Sequence, residues 1–177
     1  MKLHLGCGNK IIKDFINVDI RPLDGVDVID DISKLKTIKD NSVELIYACH
    51  VLEHFNRLNY KKVLQRWYEI LDKNGVLRLS VPDLEKVIKK YNEGEKLHNL
   101  MGFIYGGQNY EHNYHFIGFD FESLSKDLKE VGFEEISVWD WRKTEHSYMD
   151  DYSQAYLPHM DKKNGTLMSL NIQATKK

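Results

Sequence analysis

The sequence is poor in cysteine and has no long apolar run. Its two cysteines, Cys7 and Cys49, are too few for a disulfide framework, which fits a reducing cytoplasm. No run of apolar residues approaches the roughly 20 that are needed to cross a bilayer. Gly6, Asn9 and Lys10 also interrupt any signal-peptide core at once. We therefore expect a cytoplasmic protein without a membrane span.

The sequence also lacks any concentration of charge of one sign. Its 25 Lys and Arg residues are scattered against 27 Asp and Glu, for a net charge of −2, so a nucleic-acid partner is disfavoured. There is no internal repeat, no low-complexity segment and no linker rich in Pro, Gly or Ser. With 177 residues and a hydrophobic fraction of 42%, the chain can bury one sheet-and-helix core. We expect a single domain over residues 1–177.

Short apolar or β-branched runs alternate with helical patterns along the first half of the chain. The predicted strands cover residues 3–5, 16–20, 26–30, 42–49 and 75–82. Between the last two, apolar residues from Tyr60 to Leu71 recur at spacings of three, four and seven. This pattern predicts a helix that Asn74-Gly75 ends.

The second half of the chain continues the alternation. A second predicted helix follows Asp83 and has an apolar face of Leu84, Val87, Ile88 and Tyr91. A third begins after Asp120, ends at Gly132 and buries Phe121, Leu124, Leu128 and Val131. Residues 134–141 and 166–175 are predicted strands that can pair antiparallel. The fold class is therefore α/β, with a mostly parallel sheet and an antiparallel C-terminal strand.

The stretch "LHLGCGNK" places Gly6 and Gly8 directly after the first strand. Such glycines allow a tight turn and let the backbone come close to a ligand at the carboxyl edge of a sheet. A dinucleotide site would need a third glycine, where the chain has Ile11, and an acid about 20 residues further on. Asp19 comes too early to leave room for a full helix. A nucleotide-dependent oxidoreductase is thus a disfavoured alternative, and a purely structural turn stays open.

Acidic residues follow the next two strands. Asp19 ends the second strand, where a carboxylate can accept both hydroxyls of a ribose. Asp31 follows the third strand, where it can receive an adenine amino group while Ile32 packs on the ring. Acids at strand ends are often simple caps. Three successive strand ends with glycine or acid nevertheless favour a nucleoside pocket without a phosphate cradle.

Five segments carry a resemblance to a known family: "LHLGCGN", "INVDI", "IDDIS", "DNSVELIYACHVLEHF" and "EILDKNGVLRLSVPD". Together they resemble the class I S-adenosylmethionine-dependent methyltransferases, and most of all the small bacterial type 11-like group associated with surface-polysaccharide genes. The tail "SQAYLPHMDKKNGTLMSLNI" is similar to the C-terminus of that group. The resemblance implies a Rossmann-like sheet of seven strands with S-adenosylmethionine (SAM) over its carboxyl edge. S-adenosylhomocysteine (SAH) is the implied product, and polysaccharide biosynthesis the implied setting.

The resemblance also implies which residues contact the cofactor. They are Gly6, Cys7, Gly8, Asp19, Ile20, Asp31, Ile32, Cys49 and His50. The helix between the first two strands is expected to be only about a turn and a half long. Because only Met1 and Lys2 precede the first strand, we expect the lid of the pocket to come from residues 92–119, from residues 140–165 or from the second subunit of a homodimer.

A group of histidines leaves three interpretations open. "CHVLEHF" places His50, Glu53 and His54 after the fourth strand, and "NYEHNYHF" supplies His115. In the first interpretation these residues are structural, and Glu53 caps or braces the neighbouring helix. Alternatively, His115 or His54 is a catalytic base that takes a proton from a substrate hydroxyl. The third interpretation is a metal site of all four residues, similar to the E-x-x-E-H site of small-RNA 2′-O-methyltransferases, in which the imidazoles favour Zn²⁺ or Mn²⁺ over Mg²⁺.

Residues 102–120 are rich in Gly, Tyr, Asn and His. They suit a polyhydroxylated ligand such as a sugar, and equally a flexible lid with aromatic anchors. We therefore expect SAM-dependent methyl transfer to a small hydroxylated acceptor, with O-methylation of a sugar or nucleotide-linked sugar taken from the resemblance. A catalytically silent SAM-binding subunit that works through a partner is the main alternative.

Overall fold

A seven-stranded sheet forms the centre of the computed structural model, which describes all 177 residues. Its strands are β1 (Lys2–Leu5), β2 (Ile16–Asp19), β3 (Val28–Ile29), β4 (Val43–Cys49), β5 (Leu71–Pro82), β6 (Phe133–Val138) and β9 (Ser169–Lys176). A separate hairpin contains β7 (Tyr156–Leu157) and β8 (Thr166–Leu167). The spatial order of the main sheet is β3-β2-β1-β4-β5-β9-β6. Strands β1 to β5 pair in parallel, and β9 is antiparallel to both β5 and β6, which confirms the predicted α/β fold class.

Helices or loops cover both sides of the sheet, and the central strands have one apolar face, whereas the other carries the buried polar residues His4 and Asn17 beside Tyr47. Leu3 of β1 pairs with Ile46 of β4, and Leu5 pairs with Ala48. All four side chains are essentially inaccessible to solvent. This packing fixes the carboxyl ends of β1 and β4 side by side, which places the loops that follow them next to each other.

Four helices flank the sheet: α1 (Tyr60–Ile70), α2 (Leu84–Asn92), α3 (Leu97–Tyr105) and α4 (Phe121–Val131). Helix α4 has the predicted ends, since Asp120 accepts a hydrogen bond from the Ser123 amide at 2.8 Å and Gly132 adopts a left-handed φ of 115°. Helix α1 buries Trp67, whose indole N–H donates to the Ile32 carbonyl at 2.8 Å. None of the helices combines the length and the apolar character that crossing a bilayer requires.

Two helix predictions along the first half are wrong, namely the end of α1 and the short helix between β1 and β2. Helix α1 ends at Ile70 rather than at Asn74, because the fully buried Leu71 already pairs with Val43 in the sheet. The connection between β1 and β2 contains turns and no helix. The Asn17 side chain accepts a hydrogen bond from the Ile12 amide and donates to its carbonyl, which satisfies this backbone without helical bonds.

The apolar face predicted for α2 is also only partly correct. Val87 is buried, whereas Ile88 and Tyr91 are 54% and 57% exposed. The reason is α3, which the sequence analysis missed and which packs its Leu100 against Val87. Helix α3 has no side-chain cap at its N-terminus and contains Gly102, so the sequence gives no clear signal for its start. It lies within residues 92–119, the first predicted lid segment.

The second predicted lid segment, residues 140–165, packs on the sheet through its middle part. The Tyr47 hydroxyl donates to the Asp151 carboxylate at 2.6 Å, and the Asn171 side chain donates to the Ser153 carbonyl at 2.9 Å. His146 is buried with its ring centroid 4.2 Å from that of Tyr47. The middle of this segment is therefore a covering layer of the sheet, and its role as a lid stays a prediction.

Candidate cofactor and acceptor site

The glycine loop after β1 has two glycines with different roles. Gly6 and Gly8 both have a left-handed φ, of 63° and 55°. A Cβ atom at Gly6 would lie 2.6 Å from a methyl group of Val51, whereas one at Gly8 would meet only the guanidinium of Arg21 at 3.4 Å. Gly6 is thus needed for the packing of this loop against the segment after β4. Gly8 leaves its backbone open towards the end of β2.

Asp19 at the end of β2 faces this open backbone. Its Oδ2 accepts a hydrogen bond from the Gly8 amide at 2.8 Å, and its Oδ1 accepts from the Arg21 amide at 2.9 Å and from Arg21 Nε at 3.1 Å. Burial raises the pKa of Asp19, but the hydrogen bonds from Arg21 and Gly8 outweigh it and lower the pKa below its ordinary value. Asp19 is therefore a charged carboxylate fixed against the glycine loop.

These residues fit the nucleoside part of SAM. A charged carboxylate can accept the two hydroxyls of a ribose, and Ile20 beside it is 47% exposed, which offers an apolar surface to a base. In the structure, Arg21 holds the outer face of Asp19, and its guanidinium carbon lies 4.7 Å above the ring centroid of Tyr110. A ribose that binds Asp19 must displace this guanidinium.

The other residues expected at the cofactor already have contacts within the protein. Cys7 is buried, and burial raises the pKa of its thiol to about 12, so it acts as a small packing group. Asp31 accepts hydrogen bonds from Ser33 and pairs with Lys34 at 2.6 Å, which makes it the cap of a turn. Ile32 packs against the main core. Contacts of these residues with adenine stay predictions, as does the closure of the pocket by Cys49 and His50.

The structure brings together the four residues that the metal interpretation named. Glu53 is 1% exposed and lies in the short 3₁₀ turn after β4. Its Oε1 lies 3.5 Å from His50 Nδ1 and 3.8 Å from His115 Nε2. The metal-binding atoms of Glu53, His54 and His115 all lie within 4.8 Å of one another. We call these four residues the Glu53 cluster.

Burial shifts the pKa values of the ionisable groups in the Glu53 cluster. Both carboxylate oxygens of Glu53 are buried without a hydrogen-bond partner, and burial raises the pKa of Glu53 to about 8. Burial likewise lowers the pKa of His50 to about 3 and that of His115 to about 4. The two histidines are neutral at pH 7, so their lone pairs are free to accept a proton or a cation.

Sequence reasoning missed two further residues at this site. Arg21 lies only two positions after Asp19, and that spacing was the available signal. Ser169 of β9 lies 2.9 Å from His50 Nε2, although 119 positions separate them. No local pattern predicts that contact, because it depends on where β9 enters the sheet.

A family model and several solved structures are similar to this chain. A family model described as "Methyltransferase domain" matches residues 13–79, from the loop before β2 to the middle of β5. A SAM-dependent methyltransferase from Archaeoglobus fulgidus is 15% identical over 99% of this chain and 85% of that chain, with a TM-score of 0.59. The chain has the fold of a SAM-dependent methyltransferase. The family model and the fold together support such an enzyme, with SAM as its cofactor.

Other solved structures share this fold. A protein from Listeria monocytogenes, described as a SAM-dependent methyltransferase, is 14% identical over 99% of this chain and 90% of that chain, with a TM-score of 0.56. A complex of the Haloferax volcanii methyltransferase activator Trm112 with a methyltransferase contains a chain that is 12% identical over 98% of this one and 81% of that one, with a TM-score of 0.57. The search of curated proteins found no match.

Proposed function

We propose that this methyltransferase fold transfers the methyl group of SAM to a hydroxyl group of a small acceptor, namely a sugar or a nucleotide-linked sugar. The observation that supports this proposal is the position of the Glu53 cluster beside the glycine loop. His50 directly follows β4, and Val51 touches the position of Gly6 in the loop after β1. An acceptor bound at the cluster therefore lies next to a cofactor bound at Gly8 and Asp19. A role in polysaccharide biosynthesis belongs to the same proposal.

The reaction is an in-line displacement at the sulfonium carbon, so alignment of the acceptor oxygen with the methyl group supplies much of the rate. In this proposal Asp19 and the glycine loop hold the nucleoside and amino-acid parts of SAM. SAM itself supplies the activated methyl group. The protein must also receive the proton that the hydroxyl loses, and the Glu53 cluster is the group of acceptors nearest to that position.

His115 and His54 are the residues that we propose to act on the acceptor hydroxyl. His115 Nδ1 lies 3.1 Å from the Phe103 carbonyl and donates to it, which leaves the lone pair of Nε2 facing Glu53. Both ring nitrogens of His54 lie beside backbone carbonyls, those of Tyr114 at 3.0 Å and His50 at 3.1 Å. We therefore propose that His115 acts directly on the acceptor hydroxyl. His54 joins the turn after β4 to the segment that contains Tyr114.

The alternative of a nucleotide-dependent oxidoreductase has less support. A pyrophosphate usually binds at the N-terminus of the helix that follows the first strand, and the connection between β1 and β2 forms no helix. A catalytically silent subunit that works through a partner stays a second hypothesis. A homodimer and a cytoplasmic location are likewise still predictions.

The test is an assay for SAH formation with SAM and a panel of free and nucleotide-linked sugars, combined with mass spectrometry of the products. We expect one acceptor to gain the mass of a CH₂ group. The His115→Ala variant should lose turnover and keep SAH binding, whereas His112→Ala, which changes an exposed histidine of the same segment, should keep both. Binding of SAH without turnover of any acceptor would favour the silent subunit, and no binding of SAH would refute the proposal.

A further inference from the structure

The Glu53 cluster contains more hydrogen-bond acceptors than donors. The Ser169 hydroxyl donates its only proton to the Tyr152 carbonyl at 2.6 Å, so it must accept from His50 Nε2 at 2.9 Å. His50 Nδ1 is then a bare lone pair, and it points to Glu53 Oε1 at 3.5 Å. The hydrogen-bond network thus assigns the tautomer of His50.

The same reasoning applies to His115 and His54. His115 donates from Nδ1 to the Phe103 carbonyl, so its Nε2 is a bare lone pair 3.8 Å from Glu53 Oε1. A neutral His54 has one N–H for two neighbouring carbonyls, so its second nitrogen also presents a lone pair to an oxygen atom. The lone pairs of His50 and His115 therefore face Glu53, whose two carboxylate oxygens have no hydrogen-bond partner. A ring nitrogen of His54 lies within 4.8 Å of the nearest ligand atoms of Glu53 and His115.

We infer that the Glu53 cluster binds a divalent transition-metal ion of the Zn²⁺ type, with Glu53, His54 and His115 as ligands and His50 completing the set. A cation satisfies all of these acceptors at once, whereas a single shared proton satisfies only one pair. Imidazole and carboxylate ligands suit Zn²⁺ and similar ions, and the small number of oxygen ligands disfavours Mg²⁺. The carbonyl of Phe103 and the hydroxyl of Ser169 orient two of the imidazoles, as outer partners do in metal sites.

The backbone supports a functional role for this cluster. His50 has a left-handed φ of 52°, which is unfavourable for a residue with a side chain. Its amide donates to the Ser80 carbonyl at 2.8 Å, which keeps the strained residue in place at the end of β4. The Phe116 amide donates to the Glu53 carbonyl at 2.8 Å and joins the His115 segment to the turn that carries Glu53. The ligands are thus preorganised although 62 residues separate Glu53 from His115.

The ion also gives the cluster a way to activate the acceptor, and this part rests on the proposed function. An acceptor hydroxyl that coordinated the ion would lose its proton to solvent more readily. This route would replace direct proton transfer to His115, because the lone pair of His115 Nε2 would then bind the ion. The acceptor oxygen then forms the bond to the methyl carbon while the bond between that carbon and the sulfonium sulfur breaks. The products are the methyl ether, SAH and one proton, so atoms and charges balance.

The test is calorimetric titration of the full-length, chelator-treated protein with Zn²⁺, with SAH titrated separately into the same preparation. We expect one Zn²⁺ per chain and no comparable binding of Mg²⁺. Co²⁺ should give the visible absorption bands of a site with nitrogen and oxygen ligands. Since loss of an outer partner alone costs about 10–100-fold in metal affinity, Glu53→Gln and His115→Ala should each weaken Zn²⁺ binding by more than roughly 100-fold. His112→Ala is the matched control and should bind Zn²⁺ normally.

The outcomes separate this inference from the proposed function. Zn²⁺ binding that persists in both variants, or no stoichiometric binding to the original protein, would overturn the metal site even if SAH binds. SAH binding that is absent while Zn²⁺ binds would overturn the proposed function and leave the metal site intact. Circular dichroism and thermal unfolding of each variant show whether it is folded. If Glu53→Gln does not fold, His115→Ala and the Co²⁺ spectrum still decide the question.

Discussion

The proposed binding of the cofactor ribose at Asp19 puts the cofactor in competition with Arg21, so removal of Arg21 should strengthen cofactor binding. The guanidinium, whose side chain is 35% exposed, pairs with the buried Asp19 carboxylate at 3.1 Å and stacks above Tyr110. Exposed ion pairs contribute about 0.2–1 kcal/mol, and exposed cation–π contacts about 0.5–1 kcal/mol. A ribose that replaces the guanidinium must break both contacts, at a cost of about 1–2 kcal/mol.

The Arg21→Ala variant has no such contacts to break. Because each 1.4 kcal/mol corresponds to about tenfold in affinity, we expect it to bind SAH roughly 5- to 30-fold more tightly than the original protein in calorimetric titration. The control is Arg142→Ala, which removes another arginine that stacks on an aromatic ring, here Trp141 at 4.5 Å, and pairs with Asp140. That variant should not change SAH affinity.

An unchanged or weaker affinity of Arg21→Ala would refute the competition and indicate that Arg21 itself contacts the cofactor.

A substitution of Asp19, the other member of this ion pair, should have the opposite effect on SAH affinity. Asp19→Asn removes the charge that accepts the ribose hydroxyls, so SAH binding should weaken by about 1.5–3 kcal/mol, or roughly 10- to 150-fold. Asp24→Asn, an exposed acid in the next loop, should have no effect.

Two further predictions concern stability. Burial lowers the pKa of His146 from 6.5 to about 4. Between these two pH values the imidazole takes up a proton in the unfolded chain but not in the folded protein. The free energy of unfolding therefore decreases as the pH falls through this range, by up to about 1.4 kcal/mol per pH unit. In urea titrations across this range, His146→Phe should remove that share of the slope, and an unchanged slope would show that His146 is not neutral in the folded protein. Gly6→Ala should destabilise the protein by about 1–3 kcal/mol more than Gly8→Ala, because both have a left-handed φ but only the former collides with Val51. Equal losses in urea unfolding would contradict this assignment.

The parts of the fold with local causes were predictable from the sequence. Helix α4 is an example, since Asp120 and Gly132 mark its two ends and Leu124 and Leu128 face the core between them. Helix α3 has no side-chain cap at its start and was missed, although Gly106 directly follows its last residue. The absence of a helix before β2 depends on the Asn17 side chain, whose hydrogen bonds to the preceding loop have no signature in the sequence.

The candidate site was predictable as a set of residues but not as an arrangement. The motif after β4 identified His50, Glu53 and His54 from their spacing. That His115 joins them follows from the path of the chain after α3 and from the Phe116 amide, which bonds to Glu53. The unpaired state of Glu53 also arises only in the folded protein, because it depends on which neighbours of each imidazole are donors.

The position of β9 has a consequence for the order in which the protein can be completed during synthesis. This strand follows the other six strands of the sheet in the sequence, yet it lies between β5 and β6 in the sheet. Neighbouring strands are about 4.8 Å apart, so a chain that ends before Ser169 leaves β5 and β6 separated by the width of one strand. It also lacks the hydroxyl that orients His50. The segment through β9 must therefore be synthesised before His50 of the Glu53 cluster gains its contact with Ser169.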